Sequence, residues 1–324
     1  MDFAILCMKC KCFFIKCAKW SFVRIEQLRG RGETMEFERR YKESLPVLAI
    51  CYDFDKTLSP EDMQAQGFIQ SIGYDVGAFW ASTNALARAK DMDSNLAYML
   101  QMRLESEGHF RFTRQMLMEY GAHVQLFDGV TTWFARMREY GREHGVIVEH
   151  YVISSGLKEM IEGTAIAHEF EKIYASSFCY NDDGVAIWPA QVVNFTNKTQ
   201  FLFRISKGIL DINDPSVNDH FSEEEFRVPF KNLVYIGDSD TDIPCMKLVN
   251  EHKGHSICVY NPWQGDKTKV YRMMRDSRVR YFAAADYRDG SELDALVKAV
   301  ISKTAVTSIL DQKHFKDYHE ASDA

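Results

Sequence analysis

Residues 47–57 read VLAICYDFDKT, an uncharged run that ends in two closely spaced carboxylates. A short apolar run of this kind, without alternation of polar and apolar residues, is typical of a parallel strand buried on both faces. We predict that this strand covers residues 47–54. Asp53 and Asp55 are separated by one residue, so on extended chain both side chains project to the same side. Open α/β sheets bind ligands beyond the carboxyl ends of their strands, which makes this exit a candidate functional site.

Five further apolar runs resemble the first and indicate the rest of the sheet. The predicted strands are residues 150–154, 172–176, 232–236, 256–260 and 281–285. Predicted helices cover residues 130–144, 199–207 and 291–302. Asp183-Gly184, between apolar residues, predicts a hairpin over residues 179–188. The alternation of strand and helix predicts an α/β fold with a doubly wound, Rossmann-like parallel sheet.

One long segment, residues 61–124, has a helical pattern and no convincing strand. We expect it to form a helical cap subdomain, inserted after the first strand into an α/β core of residues 46–60 and 125–324. A second insertion, residues 211–230, is polar and acidic and contains the breakers Asp214-Pro215 and Val228-Pro229. It is predicted to be a loop with one helical turn at residues 222–226.

A second acidic strand exit reads GDSDTD at residues 237–242. Three carboxylates in five positions suggest a site for a hard cation, which prefers oxygen ligands. A helix N-terminus also favours Asp through capping and its dipole, and Asp240 fits that simpler interpretation. Two acidic exits on adjacent strands would come together, and such repelling charges are costly to hold together unless a cation joins them.

Candidate phosphate-binding groups follow two other elements. Ser154, Ser155 and Gly156 end the second predicted strand, where a hydroxyl and free backbone N–H groups can cradle an anion. Lys198 opens the predicted helix 199–207, although a cation at a helix N-terminus opposes the dipole, so an anionic partner would explain it. A common Ser-Ser-Gly turn and a solvated lysine are the alternatives for these residues taken alone.

The order of these motifs resembles that of the haloacid dehalogenase (HAD) superfamily phosphatases. DFDKT, a Ser at the second strand, a Lys and GDSDTD follow one another, and the resemblance covers residues 47–305. The D-x-D-x-T form of the first motif is that of phosphatases and phosphomutases. A helical segment between the first and second motifs resembles the cap of the phosphoserine phosphatase-like branch.

The resemblance implies a role for each motif residue. Asp53 would be the nucleophile that becomes an aspartyl-phosphate, and Asp55 the general acid that protonates the leaving group and then acts as base toward water. Ser154 would supply the phosphate-binding hydroxyl, with Ser155 as the open alternative, and Lys198 would be the cation that bridges phosphate and nucleophile. The implied cofactor is Mg²⁺, and its expected ligands are Asp53, the carbonyl of Asp55, Asp238 and, directly or through water, Asp242.

The expected function is Mg²⁺-dependent hydrolysis of a phosphomonoester of a small metabolite. Two alternatives stay open: phosphoryl transfer to another acceptor, as in a phosphomutase, and a non-catalytic binding protein on this fold. Phosphoserine is not assigned as the substrate, because phosphoserine phosphatases carry a Glu nine residues after the nucleophile, where this chain has Asp62. They also have Ser-Gly-Gly where this chain has Ser154-Ser155-Gly156.

Substrate choice is expected to come from the cap. Phe79 and Trp80 are interpreted as packing residues. The side chains offered toward a substrate are five cations and one further aromatic residue, Arg88, Lys90, Arg103, Arg111, Arg114 and Tyr98.

Bulk composition excludes some classes of partner. The 324 residues carry a net charge of −7, and nucleic acid is not an expected partner because a phosphate backbone requires a basic face. No apolar run approaches the roughly 18 residues of a membrane span. We expect a soluble cytoplasmic protein, and the sequence does not indicate its oligomeric state.

The N-terminal extension, residues 1–45, differs in composition from the rest. Its first 34 residues carry seven Lys or Arg against three acidic residues. Four of the eight cysteines also lie there, at a spacing that fits no usual four-cysteine zinc site: Cys7, Cys10, Cys12 and Cys17. The alternatives are a disordered or accessory leader, or an upstream extension before a true start at Met35.

Overall fold

A computed structural model describes residues 44–222 and 225–322. The chain divides into two units, Met1–Phe37 and Glu38–Ala324, and all described residues belong to the second. The predictions for residues 1–43, including the four clustered cysteines and the start at Met35, therefore lie outside the described residues. None of the described helices is long and apolar enough to cross a membrane.

Seven strands form one sheet in the order β4-β3-β2-β1-β5-β6-β7. All neighbouring strands are parallel except β3 and β4, which are antiparallel. The strands are β1 (Val47–Tyr52), β2 (Ile147–Leu157), β3 (Lys172–Tyr180), β4 (Ala186–Gln191), β5 (Leu233–Gly237), β6 (His255–Tyr260) and β7 (Tyr281–Ala284).

Ten α-helices accompany the sheet in the described residues. They are α1 (Phe68–Ser71), α2 (Val76–Lys90), α3 (Ser94–Ser106), α4 (Arg114–Ala122), α5 (Val130–Glu143), α6 (Lys158–Gly163), α7 (Thr199–Lys207), α8 (Ile243–Glu251), α9 (Thr268–Arg275) and α10 (Glu292–Ser322). Short 3₁₀ helices lie at Met63–Ala65, Ala167–Glu169, Phe195–Lys198, Pro215–Asn218, Phe230–Asn232 and Asp240–Asp242.

The predicted doubly wound α/β fold is confirmed, and each of the six predicted strands has a counterpart. The hairpin predicted at Asp183-Gly184 is the β3–β4 pair. Several predicted boundaries were wrong: β1 ends at Tyr52 rather than 54, β2 begins at Ile147 rather than 150, and β3 ends at Tyr180 rather than 176. β2 runs to Leu157 rather than 154, because its pairing with β3 is interrupted by a bulge between Ser154 and Leu157. The last helix continues to Ser322 rather than 302, since no Gly or Pro interrupts it.

β1 shows why the sheet needs helices on both faces, since all six of its residues are buried. Its even-numbered residues belong to one apolar cluster, which includes Trp133 of α5 and Val297 of α10. Its odd-numbered residues belong to a second cluster, which includes Phe201 of α7 and Met246 of α8. The alternation of side chains along β1 therefore contributes to two cores, and β1 is the central strand of the sheet.

Helices α1–α4 lie between β1 and β2 in the chain, as the helical pattern of residues 61–124 indicated. Asn95 donates to the carbonyl of Val193 at 2.6 Å, and Ala186 N donates to the carbonyl of Phe112 at 2.8 Å. α4 and α6 approach closely at glycine, because a Cβ on Gly121 would lie 1.9 Å from the carbonyl oxygen of Met160. The helical segment is thus held to the core at several points.

Candidate active site

The candidate site lies where the direction of strand progression reverses, between β1 and β5. Chain order runs outward from β1 through β2 to β4 on one side and from β5 to β7 on the other. Such a switch point leaves a crevice at the carboxyl ends of the strands. Asp53 follows β1 and Asp238 follows β5, and Asp53 N donates to the carbonyl of Ile236 at 2.9 Å. The two acidic exits are therefore adjacent, as the sequence predicted.

Three carboxylates and one lysine form the centre of this crevice. Asp53, Asp238 and Asp242 each offer an oxygen within 4.8 Å of the others. The Lys198 ammonium is fully buried and lies 3.3 Å from Asp53 Oδ2 and 2.8 Å from Asp242 Oδ1. Burial alone would lower the pKa of Lys198, but the carboxylates of Asp242 and Asp53 raise it, so the side chain is a cation.

Asp242 is held more tightly than the other two carboxylates. Its Oδ1 also accepts a hydrogen bond from the Tyr235 hydroxyl at 2.8 Å, and its Oδ2 accepts from Ser239 N at 3.0 Å. Burial would raise the pKa of Asp242, but Lys198 and these hydrogen bonds lower it. Gly237 permits this arrangement, because a Cβ there would come 2.6 Å from the carboxyl carbon of Asp242. Asp242 therefore orders Lys198 and the loop.

Asp53 and Asp238 keep more capacity for an external ligand. Asp53 Oδ1 accepts from Phe54 N at 2.8 Å. Among the described residues, the ion pair of Asp238 is with Lys269, whose Nζ lies 3.7 Å from Asp238 Oδ2. Burial and the neighbouring Asp242 charge raise the pKa of Asp53 to about 6 and that of Asp238 to about 7. Lys198 beside Asp53 and Lys269 beside Asp238 offset these pKa shifts only in part.

Asp55 lies apart from the carboxylate cluster and has a different environment. Its Oδ1 accepts from Met63 N at 2.8 Å. Burial, followed by the charges of Asp62 and Asp53, raises its pKa well above the ordinary range. A carboxyl group that holds its proton at neutral pH can act as a general acid. The Asp55 carboxylate is not one of the three carboxylates that lie close enough together to hold a metal ion.

Ser154 and Ser155 both line the cleft, but their hydroxyls differ. Ser154 Oγ accepts from Gly156 N at 3.0 Å. The carbonyl of Ser155 accepts from the Tyr98 hydroxyl at 2.8 Å, whereas Ser155 Oγ is buried and has no hydrogen-bond partner among the described residues. A buried polar atom without a partner is costly, so Ser155 Oγ is the hydroxyl that a bound anion would satisfy.

The cleft has a volume of about 280 Å³, and the core and the helical segment both contribute to it. From the helical segment come Gln64, Trp80, Asn95 and Tyr98. Phe79 is fully buried and Trp80 packs against the core, as the interpretation of both as packing residues expected, but Trp80 also lines the cleft. Sequence periodicity could not separate these neighbours, because both are aromatic and only their positions on α2 differ.

The expected cap cations do not line the cleft. Arg103 donates to the carbonyl of Ala186, Arg111 to that of Asp183, and Arg114 pairs with Glu162. Arg88 and Lys90 lie in the last turn of α2, away from the cleft residues. These side chains hold the segment to its surroundings or face solvent, so the expectation that they are offered to a substrate was wrong.

The residues present fit a magnesium ion. Mg²⁺ is commonly bound through one or two carboxylates together with substrate phosphate oxygens and water. Asp53 and Asp238 supply such carboxylates, and the raised pKa of each shows that a cation would stabilise their ionised forms. The oxygens of Asp242 already accept hydrogen bonds from Lys198, Tyr235 and Ser239. Asp242 would therefore support the site without binding the ion directly.

Comparison with known proteins gives one family match and one curated relative. The family model of the haloacid dehalogenase-like hydrolases matches residues 50–247, a range that contains all of the residues of the carboxylate cluster. A protein of Borreliella burgdorferi, described as an uncharacterized protein, is 25% identical over 272 residues, covering 76% of this chain and 94% of that protein.

Two solved structures share the fold. A HAD family hydrolase from Salmonella enterica subsp. enterica serovar Typhi is 15% identical with a TM-score of 0.51, covering 80% of this chain and 73% of that chain. A probable phosphoserine phosphatase from Vibrio cholerae, in unliganded form, is 13% identical with a TM-score of 0.52, covering 84% and 69%. At these identities the similarity concerns the fold alone.

Proposed function

The chain belongs to the haloacid dehalogenase-like hydrolases, and from that membership we propose that it hydrolyses a phosphomonoester of a small metabolite with Asp53 as the nucleophile. The observation that carries the proposal is the position of the Lys198 ammonium, buried between Asp53 and Asp242 in a cluster with Asp238. A carboxylate nucleophile must approach an anionic phosphoryl group, and a buried cation beside it reduces that repulsion.

The first half of the reaction uses both carboxyl groups of the first motif. An Asp53 oxygen forms a bond to phosphorus while the bond from phosphorus to the leaving oxygen breaks. Asp55 gives its proton to that oxygen, and the raised pKa of Asp55 suits this role. The products of this step are a free alcohol and an aspartyl-phosphate, which is an activated acyl phosphate.

In the second half, the Asp55 carboxylate takes a proton from water, whose oxygen attacks phosphorus and releases Asp53. Lys198 and the unpartnered hydroxyl of Ser155 would bind the phosphoryl oxygens in both halves. Mg²⁺, held by Asp53, Asp238 and the Asp55 carbonyl, would supply positive charge to the same oxygens.

Buried reduced thiols at Cys51, Cys245 and Cys258 support our further proposal of a cytoplasmic, reducing environment.

The test is hydrolysis of 4-nitrophenyl phosphate by purified protein. Wild-type protein with Mg²⁺ should release nitrophenol, and EDTA should stop the reaction until Mg²⁺ is restored. Asp53→Asn should remove turnover, because an amide is a poor nucleophile of nearly the same size. Asp240→Asn is the matched control, since that side chain is 59% exposed and pairs with Arg272. Near wild-type activity of Asp53→Asn would contradict the proposal.

A further inference from the structure

The part of the cleft that would face the leaving group is lined by uncharged side chains of the helical segment. Besides Ser239 and Thr241, which follow β5, four uncharged side chains line the cleft without a role in the proposed phosphoryl chemistry: Gln64, Trp80, Asn95 and Tyr98. All four come from the segment between β1 and β2. They are therefore the side chains that an alcohol attached to the phosphoryl group would meet.

Each lysine that lines the cleft has a carboxylate partner. Lys56 Nζ lies 2.9 and 2.8 Å from the two carboxylate oxygens of Asp62. Lys269 Nζ lies 3.7 Å from Asp238 Oδ2. An ammonium group on the substrate needs a carboxylate that is free of such a partner, and a substrate carboxylate needs a free cation. Apart from Asp53, Asp55 and Asp238, which the proposed phosphoryl chemistry uses, the described lining residues leave no carboxylate and no cation without a partner.

The uncharged groups, in contrast, have unused hydrogen-bonding capacity. The indole N–H of Trp80 is buried and has no partner among the described residues. Gln64 is 2% exposed, and its side chain takes part in none of the hydrogen bonds that the described residues form. An amide offers two donors and one acceptor, and an indole offers one donor. Such groups complement hydroxyl groups, which both donate and accept.

Two aromatic rings limit the shape of the occupant. The rings of Trp80 and Tyr98 meet edge to face, with centroids 5.9 Å apart and planes at 74°. Tyr98 is fixed by its bond to the Ser155 carbonyl. The cleft volume of about 280 Å³ is at the small end of ligand pockets, and the phosphoryl group takes part of it. The remaining space suits a small molecule with an apolar face and hydroxyl groups.

We infer that the leaving group of the natural substrate is an uncharged, hydroxyl-bearing alcohol, such as a polyol or sugar, read by Trp80 and Gln64. This inference rests on the proposed function and adds the substrate class. Lys56 has a specific part in it, because its pairing with Asp62 neutralises a carboxylate that would otherwise attract an amine.

The first test compares four phosphomonoesters with wild-type protein: glycerol 3-phosphate, a hexose 6-phosphate, phosphoethanolamine and 3-phosphoglycerate. The expected result is a higher kcat/KM for one of the uncharged alcohols than for the cationic and anionic ones. A higher value for either charged alcohol overturns the inference. Hydrolysis of 4-nitrophenyl phosphate is measured in parallel, and if that hydrolysis is itself absent, the proposed function fails as well.

The second test removes the unused donor. Trp80→Phe keeps a ring but loses the N–H, and Gln64→Met keeps the side-chain length but loses the amide. Each variant should lower kcat/KM for the preferred uncharged substrate roughly tenfold, as expected for one lost hydrogen bond to a substrate hydroxyl. The ratio of kcat/KM for that substrate to kcat/KM for 4-nitrophenyl phosphate should fall severalfold, since the nitrophenyl leaving group lacks hydroxyls. Trp188→Phe, 71% exposed on β4, is the matched control.

The third test seeks a gain of function. Lys56 has φ of 58°, a conformation that Asn tolerates better than most residues, so Lys56→Asn removes the cation with little backbone strain. Asp62 then becomes available to an ammonium. The ratio of kcat/KM for phosphoethanolamine to that for glycerol 3-phosphate should rise severalfold. An unchanged ratio, or equal losses on all substrates in the Trp80 and Gln64 variants, would overturn the assignment.

Discussion

The affinity of the protein for Mg²⁺ should fall steeply below neutral pH, by an amount that the two raised carboxyl pKa values determine. Protons compete with the cation for Asp53, with a pKa of about 6, and for Asp238, with a pKa of about 7. If both must ionise, the apparent Kd should rise about 20-fold from pH 8 to pH 6 and about 10³-fold from pH 8 to pH 5.

Stability alone would not reveal this effect, because buried histidines oppose it. A carboxyl whose folded pKa is raised stabilises the folded state at low pH, and this contribution is lost as pH rises through the folded pKa. Asp53 and Asp238 therefore favour folding near pH 5. Burial lowers the pKa of His150 to about 3 and that of His255 to about 4. Both histidines therefore destabilise the folded state as the pH falls below about 6.5. The difference with and without Mg²⁺ isolates the carboxylates.

Calorimetric titration of Mg²⁺ at pH 5, 6 and 8, in buffers of different ionisation enthalpy, measures both affinity and proton release. Roughly 1.4 protons should be released for each ion bound at pH 6, and about 0.1 at pH 8. Asp240→Asn should leave the profile unchanged. Affinity that is equal at pH 6 and pH 8, with no proton release, would refute the assignment of Asp53 and Asp238 as the ligands.

Three substitutions test the construction of the site. Lys198→Met leaves two buried carboxylates without their cation and should reduce the free energy of unfolding by roughly 3–5 kcal/mol in urea titration; an unchanged value would contradict the buried ion pairs. Gly156→Ala would place a Cβ 2.9 Å from Asp55 Oδ2, so kcat should fall at least about tenfold with little change in Tm; the reverse pattern would show a structural role. Gly121→Ala meets the Met160 carbonyl at 1.9 Å and should lower Tm by several degrees, which thermal unfolding measures.

The parts of the molecule that follow from local patterns were predictable from the sequence. Runs of uncharged, apolar residues predict the buried strands. Gly208 correctly predicts where α7 ends, because it supplies the left-handed conformation at the C-terminus of the helix. The two acidic exits could be brought together because parallel strands share one edge. The unfavourable position of Lys198 at a helix N-terminus indicated an anionic partner, but only the resemblance in motif order assigned the residue to the site.

The contacts that depend on packing between distant elements were not predictable. Tyr235 reads as one more apolar strand residue, yet its hydroxyl donates to Asp242. Trp80 and Phe79 are adjacent and chemically similar, and only the packing of α2 decides which one lines the cleft. Arg103 and Arg111 donate to backbone carbonyls of the β3–β4 hairpin. No spacing in the sequence indicates that these residues lie close to the hairpin. The bulge at the end of β2 likewise depends on its pairing with β3.

The most direct measurement is acid quench of a single turnover, followed by peptide mass spectrometry. The account predicts that the wild-type protein carries one phosphoryl group during turnover, that it resides on Asp53, and that it disappears as substrate is exhausted. Asp53→Asn should carry none, whereas Asp240→Asn should be labelled like the wild type. Phosphate release without a phosphorylated enzyme, or with the label on a residue other than Asp53, would contradict the account.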